Sequence, residues 1–377
     1  MKKRILDLLT CPFCDGNLNL RSFIEEGCEI KEGLLVCSCR NWFPIINFVP
    51  RFLLGEYRGD YKDFIENHNL TYLSEETQNS SHVDSQENQV QKSFSSKWAS
   101  QPSWGIDGET KAFMREWIFE KYGWGDMQGL EDSLKNRKRI LEVGTGLGRE
   151  ASDFCNVCKD GEVFGVDLSD AVEAAYINTR QYQNIHIIQA DLMRLPFMKG
   201  AFDFIFGEGV LHHTPETKRA FEVLLDHLAP RGEMAIYVYK KKGPIREFCD
   251  DFIRQFTTKL SDAECWEFSK KMAILGEVLS DLNTEFEIPE DIPVLEIKAG
   301  KYNLQRFFYY HIFKCFWNDR FTMDENNLIN FDWYHPENAH RHTPEEVKSW
   351  FQKAELRIIH FDISESGITA RGLRASK

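Results

Sequence analysis

One segment restricts the fold of this chain more than any other. Ile140-Leu141-Glu142-Val143-Gly144-Thr145-Gly146-Leu147-Gly148 is an apolar run that breaks into three alternating glycines before a stretch of helical character. Glycines let a chain turn sharply and let a ligand lie against bare backbone, with the amides of a helix start facing it. That pattern is a nucleotide site of unspecified kind. The dinucleotide fingerprint GxGxxG is not met, because the third glycine falls one residue early and Arg149 takes its place. Glu142, two residues before the first glycine, would repel a pyrophosphate but could hold an ammonium group. The ligand is therefore expected to be cationic on that side.

From 98 to 240 short β-branched or aromatic runs alternate with helical stretches: RILEV, EVFGVDL, IHIIQADL, FDFIFGEGV and GEMAIYVY, with the amphipathic TKRAFEVLLDHL before the last. This rhythm predicts an α/β fold, a mostly parallel sheet with helices on both faces. It breaks over 241–342, an aromatic-rich and helical insertion, and returns over 343–377 with a helix opened by Thr343-Pro344-Glu345-Glu346. Thr343 and Glu346 fit a capping box. Residues 1–56 hold half of the ten cysteines and short apolar runs. Residues 57–97 are polar and lack core periodicity, which predicts a linker. Asp167 closes the second strand of the alternating region and Asp191 follows the third, both at carboxyl ends of strands. There an acid can accept from ribose hydroxyls or an adenine amino group, with Leu192 against the ring. Asp203, in FDFIF, is expected to support the start of its strand rather than touch ligand.

These residues resemble the motifs of class I S-adenosylmethionine-dependent methyltransferases, especially the group typified by ubiquinone and menaquinone biosynthesis. The matching segments are Leu141 to Gly148, Asp167, Asp191 with Leu195-Pro196-Phe197, and Phe202-Asp203 through Val210-Leu211-His212-His213. The resemblance covers roughly 98–240 and 343–377. It implies a Rossmann-like seven-stranded sheet with a reversed final hairpin and S-adenosylmethionine as cofactor. Glu142, Gly144, Thr145, Gly146, Gly148, Asp167, Leu168, Asp191, Leu192 and Glu208 are the implied cofactor positions.

Methyl transfer from a sulfonium needs alignment of the acceptor and exclusion of water, and a hydroxyl acceptor also gains from a base. His213, or its neighbour His212, follows the fourth strand and is the first candidate; satisfying loop backbone or packing on the cofactor is the alternative. The insertion should cover the acceptor. Its stretch 301–334 holds twelve aromatics, suited either to a pocket for a flat substrate or to the core of a lid. Tyr334, His335 and His340 lie in a segment dense in proton-transfer groups and are further catalytic candidates.

Cys11-Pro12-Phe13-Cys14 has the form of a metal knuckle that Cys37-Ser38-Cys39 could complete, and a domain this small needs a staple. The context resembles the short zinc-binding activator of tRNA and release-factor methyltransferases, with Pro44-Ile45 and Val49-Pro50 matching its closing pattern and CxC standing where CxxC is usual. The resemblance implies structural Zn²⁺ on Cys11, Cys14, Cys37 and Cys39, and docking on the catalytic domain in cis. Cys155 and Cys158 are expected to be packing, and Cys28 spare.

Charge separates the function classes. The chain nets −13, which disfavours a protein whose affinity comes from neutralising phosphates or anionic lipid. No apolar run approaches a membrane span, so a cytoplasmic chain is expected. The sequence thus points to methylation of a small-molecule acceptor, with an oxygen as the expected target. RNA methylation guided by the knuckle, and a non-catalytic partner built on this fold, are the alternatives. Nothing in the sequence speaks to oligomeric state.

Overall fold

The computed structural model describes residues 1–57, 61–73 and 85–376. Near the N-terminus four strands, β1 (Leu18–Glu26), β2 (Glu29–Cys37), β3 (Trp42–Ile46) and β4 (Val49–Phe52), form an antiparallel meander. Helix α1 (Lys62–Asn67) covers one of its faces, burying Phe64, Leu70 and Leu73 against Leu34 and Trp42. Three further helices follow: α2 (Ser85–Ser100), α3 (Gly108–Lys121) and α4 (Met127–Leu134).

The alternating region then yields β5 (Arg139–Val143), α5 (Arg149–Val157), β6 (Glu162–Asp167), α6 (Ala171–Thr179), β7 (Ile185–Ala190), β8 (Phe202–Glu208), α7 (Thr217–His227) and β9 (Leu228–Tyr239). The insertion contributes α8 (Pro244–Thr257), α9 (Asp262–Asp281), a hairpin of β10 (Glu285–Ile288) and β11 (Gly300–Asn303), then α10 (Leu304–His311) and α11 (Met323–Tyr334). The chain closes with α12 (Pro344–Lys353), β12 (Leu356–Ile363) and β13 (Gly367–Arg374). Thr343 and Glu346 form the expected capping box on α12.

One sheet runs β1-β2-β3-β4-β7-β6-β5-β8-β9-β13-β12. Strands β7, β6, β5, β8 and β9 are parallel, and β13 is inserted antiparallel between β9 and β12. This is the seven-stranded sheet with reversed final hairpin expected from the alternation and the resemblance. Its central strands are apolar on both sides because helices cover both faces. Phe164, Phe202, Ile205 and Met234 pack toward α7 and α12, while Ile140, Val163, Phe204 and Phe206 pack toward α3 to α6. Asp203 accepts from the amides of Lys138 (2.7 Å) and Arg139 (3.1 Å), supporting the neighbouring strand as expected.

The N-terminal meander is not a separate sheet. Strand β4 pairs in parallel with β7, Arg51 opposite Gln189 and Phe52 opposite Ala190. Arg51 Nη1 donates to Gln189 Oε1 at 2.8 Å and its other arm pairs with Glu173 on α6. The two units therefore share one hydrogen-bonded ladder and one continuous apolar layer, in which Phe43 and Phe52 join Ile188 and Leu195.

Over 57–97 the expected linker is largely replaced by structure. Residues 74–84 lie outside the described residues, but α1 belongs to the N-terminal unit and α2 crosses the mouth of the methyltransferase-like sheet. Helix α2 turns Val90, Phe94 and Trp98 toward the strand ends and is tied down by polar contacts as well. Ser93 Oγ bonds His335 Nδ1 (2.8 Å), Gln89 spans His335 and Glu337, and Lys97 pairs with Asp332 (2.6 Å). Among the described residues no helix is long and apolar enough to cross a membrane.

Candidate active site

A cavity of about 500 Å³ lies at the carboxyl ends of β5 to β9, closed by α2 on one side and by the insertion on the other. The glycine loop forms its floor. Gly144, Gly146 and Gly148 all take positive φ, and a Cβ would sit 2.6 Å from Val210 at the first and 2.8 Å from Thr179 at the third. A side chain at either position would push the loop off its path, so the backbone itself is what the loop offers.

Carboxylates surround that floor. Glu142 is buried and accepts from Thr145 Oγ1 at 2.7 Å. Burial, then the neighbouring charge of Glu150, raises its pKa well above the usual range. Asp167 accepts from Gly146 N (2.8 Å), Ser169 N (2.9 Å) and Ser169 Oγ (2.6 Å); burial still raises its pKa. Asp191 accepts from Met193 N at 2.8 Å. Glu208 is held by Lys121 and by Tyr122 Oη, the latter at 2.7 Å. Such a set of acids around bare amides fits a ligand with an ammonium, a sulfonium and ribose hydroxyls. The carboxylates offer acceptors to the ammonium and the hydroxyls and negative charge to the sulfonium, and Oδ2 of Asp167, which accepts from Gly146 N, keeps a second lone pair. Of the expected cofactor positions, Glu142, Gly144, Thr145, Gly146, Asp167, Leu168, Asp191, Leu192 and Glu208 line the cavity, while Gly148 caps α5 just beneath it.

The catalytic candidates separate. His213 lines the cavity. Its Nδ1 donates to the carbonyl of Asn338 at 2.7 Å, and because a carbonyl can only accept, the lone pair is left on Nε2, which has no partner among the described residues. Burial drops its pKa to about 4, although Asp332 acts in the opposite sense. His212 does not line the cavity. It is wholly buried, stacks on Tyr239 with ring centroids 3.6 Å apart, and neither ring nitrogen has a partner. Burial keeps it neutral, so it serves as an aromatic plate under Tyr239.

Three expected active-site groups face elsewhere. Tyr334 donates its hydroxyl to the carbonyl of Lys314 (2.6 Å) inside the core of the insertion. His335 is spent on Ser93 and on the carbonyl of Leu260. His340 is half-buried, its amide bonds the His212 carbonyl (2.9 Å), and its ring does not reach the cavity. Each is spent on holding the insertion together: Tyr334 on the segment before α11, His335 on α2 and the α8–α9 loop, and the backbone of the turn after α11 on Arg254 of α8.

Other groups at the site carry no sequence motif. Asp332, also on α11, does reach the cavity, where Lys97 Nζ (2.6 Å) and Tyr239 Oη (2.9 Å) both donate to it. Burial alone would raise its pKa, but Lys97 and then His213 hold it well below the usual carboxylate range. Phe94 and Trp98 from α2 complete the wall, Phe94 lying edge-on to His213 at 4.9 Å. The aromatics of 301–334 divide: Tyr309, Tyr310, Phe316, Phe321 and Trp333 line the cavity, and Phe331 and Tyr334 form lid core.

About the knuckle, the sulfurs of Cys11, Cys14, Cys37 and Cys39 lie within 4.8 Å of one another, with 3.7 Å between Cys11 and Cys39 and 3.4 Å between Cys14 and Cys37. Zinc–sulfur bonds of about 2.3 Å in a tetrahedron put sulfurs ~3.8 Å apart, so the donor set fits Zn²⁺ with CxC as it stands. A Cβ on Gly16 would meet Cys14 and Cys37 at 3.1 and 3.3 Å. Four sulfurs leave no open position for chemistry. Cys155 and Cys158 bond Asn184 and the Arg137 carbonyl as packing thiols, and Cys28 is exposed.

Comparison with known proteins agrees with both halves. Residues 140–232 match the family described as a methyltransferase domain, and residues 2–47 match the Trm112p-like proteins. Methyltransferase str2 of Strobilurus tenacellus is 29% identical over 103 residues, covering 27% of this chain and 36% of that protein. Demethylmenaquinone methyltransferase of Lactococcus lactis is 30% identical over 115 residues, covering 29% and 42%. A solved S-adenosylmethionine-dependent methyltransferase from Aquifex aeolicus covers 72% of this chain and 98% of its own, at 14% identity and a TM-score of 0.38. The matches span between 27% and 47% of the curated relatives' own lengths.

Proposed function

We propose, on the premise that this chain is by fold and matched domains a class I S-adenosylmethionine-dependent methyltransferase with a Trm112p-like N-terminal domain, that it methylates an oxygen of a small-molecule acceptor. The observation that carries this reading is the enclosure of His213 and the carboxylate-rimmed glycine loop in one cavity of about 500 Å³, a volume suited to small ligands. The same cavity is roofed by α2 and the insertion.

Bound S-adenosylmethionine supplies an already activated methyl group. Glu142 and the amides of the loop would hold its amino-acid end, Asp167 its ribose, and Asp191 with Leu192 its adenine. His213, neutral at pH 7 and with its lone pair on Nε2, would accept the proton that an acceptor hydroxyl loses. The carboxylate of Asp332 favours the imidazolium that results. Lys97 and Tyr239 fix that carboxylate. Phe94, Trp98 and the insertion aromatics exclude water, and positioning of this kind contributes about 7–11 kcal/mol. At the knuckle, Cys11, Cys14, Cys37 and Cys39 would hold a structural Zn²⁺.

The Trm112p-like match favours a second reading, RNA as acceptor. Incubating the protein with methyl-labelled S-adenosylmethionine and either a metabolite extract or total RNA, then following the label by mass spectrometry, decides between them. Label on a metabolite is the expected result. Label on RNA alone overturns the small-molecule reading, and label on neither, with no cofactor binding in calorimetry, leaves a non-catalytic partner protein.

A further inference from the structure

The walls of the cavity differ in charge from end to end. Carboxylates crowd the glycine loop, whereas the insertion end presents Lys314, Arg246 and Arg306. Lys314 is only 5% exposed, yet its ammonium has no hydrogen-bond or ion-pair partner among the described residues and stands 5.0 Å from the ring centre of Trp333. Arg246, 1% exposed, pairs through Nε with Asp250 but leaves Nη1 without a partner among the described residues. Arg306 is half-buried against Tyr309 and makes no ion pair among the described residues.

Among the described residues, the carboxylates whose charge reaches Lys314 are already engaged. Asp250 is engaged by Arg246 and by the amide of Lys314 (3.2 Å), and Asp332 by Lys97 and Tyr239. The adjacent Lys242 differs instructively, since its ammonium is satisfied by the carbonyls of Glu365 and Ser366. Burying a cation without a counter-ion is costly, and proteins retain such an arrangement where a ligand completes it.

We infer that the insertion end of the cavity is an oxyanion subsite, in which Lys314 and Arg306, backed by Arg246, hold a carboxylate or phosphate group of the methyl acceptor. The assignment of that group to an acceptor rests on the methyl-transfer reading above; the subsite itself does not. Burial presses the Lys314 pKa down to about 7, as expected of an ammonium that lacks its counter-ion, and a bound oxyanion would raise it. Two insertion tyrosines, Tyr309 and Tyr310, and Phe316 beside this end suit an acceptor with a flat body. An acidic chain thus carries a cationic recess at the place where its acceptor would sit.

Calorimetry on the full chain, saturated with S-adenosylhomocysteine, tests this with benzoate, phenyl phosphate and benzyl alcohol as probes. At least one anion should bind tenfold or more tighter than benzyl alcohol, and comparing the two anions tells carboxylate from phosphate. Lys314→Met and Arg306→Met should each weaken anion binding about tenfold while leaving S-adenosylhomocysteine affinity within twofold. Equal binding of benzyl alcohol, absence of anion binding, or anion binding indifferent to both substitutions overturns the subsite. Repeating the titrations without S-adenosylhomocysteine separates the two ideas, because a chain that binds the anions but never the cofactor keeps the subsite and loses the methyl-transfer reading. Should a variant misfold, competitive acetylation of Lys314 in the wild-type protein at pH 7 reads the same contact: the anions should protect it, and unchanged labelling at saturating anion overturns the proposal.

Discussion

In the proposed reaction His213 is the residue on which the chemistry turns, and its two ring nitrogens would have separate jobs. Nδ1 is fixed by the Asn338 carbonyl, so Nε2 alone is free to take a proton. His213→Gln should lower kcat by roughly 10²- to 10⁴-fold, the usual worth of a general base, while S-adenosylmethionine affinity measured by calorimetry stays the same. An unchanged kcat would reduce His213 to wall. The same residue makes folding pH-dependent. Its folded pKa of about 4 lies below the unfolded value near 6.5. Between those values the unfolded chain binds more protons, so the contribution is complete above pH 6.5 and is lost as pH falls toward 4. The loss amounts to about 3 kcal/mol. Melting temperatures recorded across that window should fall for the wild type and fall less steeply for His213→Gln. At this scale the sequence was informative where a residue's role is set by its neighbours along the chain. Glu142, Gly144, Gly146, Asp167 and Asp191 all sit at or just after strand ends and all reach the cavity, with Gly148 just beneath it. Tyr334, His335 and His340 share one short segment with Asp332, and spacing along it does not tell which faces inward, because the rotation of α11 and the turn after it select that.

Helix α2 shows what an element-level reading of the sequence cannot see. The polar stretch SEETQNSSHVDSQENQVQKS hides the start of this helix, and helices in proteins owe most of their stability to tertiary packing. Here Val90, Phe94 and Trp98 face the cavity, and polar ties to the insertion add to them, through Ser93 with His335, Gln89 with Glu337 and Lys97 with Asp332. A partner more than two hundred residues away leaves no local signature. Lys97→Met should therefore act on both stability and catalysis. It leaves the Asp332 carboxylate with Tyr239 as its sole donor among the described residues. The expected cost is roughly 1–3 kcal/mol, because the Asp332 side chain keeps about a fifth of its surface exposed. Denaturant unfolding measures that loss, and kcat should fall with it since Asp332 no longer sits fixed beside His213. A fall in stability alone would make the ion pair a clasp without a catalytic part. The α12 capping box, by contrast, was legible in full from Thr343 and Glu346, since both partners lie within one turn.

For the whole molecule the joining of β4 to β7 is decisive, because it turns a small cysteine module and an α/β domain into one sheet. The four-sulfur cluster is the expected staple of that small module. The purified protein should contain one zinc per chain. Chelation, or Cys37→Ser, should lower the melting temperature by about 5 °C or more, at ~2–4 °C per kcal/mol for domains of 150–250 residues. Elemental analysis with calorimetry checks both, and full thermal stability after metal removal would show the sulfurs to be packing. Because the cluster has no open coordination position, any loss of activity should follow the loss of folded protein. The sequence by itself determined the strand–helix alternation, the glycine loop, the acids at strand ends and the cysteine set, since each is written in spacings of a few residues that local backbone geometry must obey. Only the tertiary structure decided that the meander would extend the sheet through β7, that a polar helix would become a wall of the cavity, and that Lys314, Arg246 and Arg306 would converge on its far end. Those outcomes depend on edges, faces and buried charges brought together from distant parts of the chain, and their free energy exists only once the whole molecule has folded.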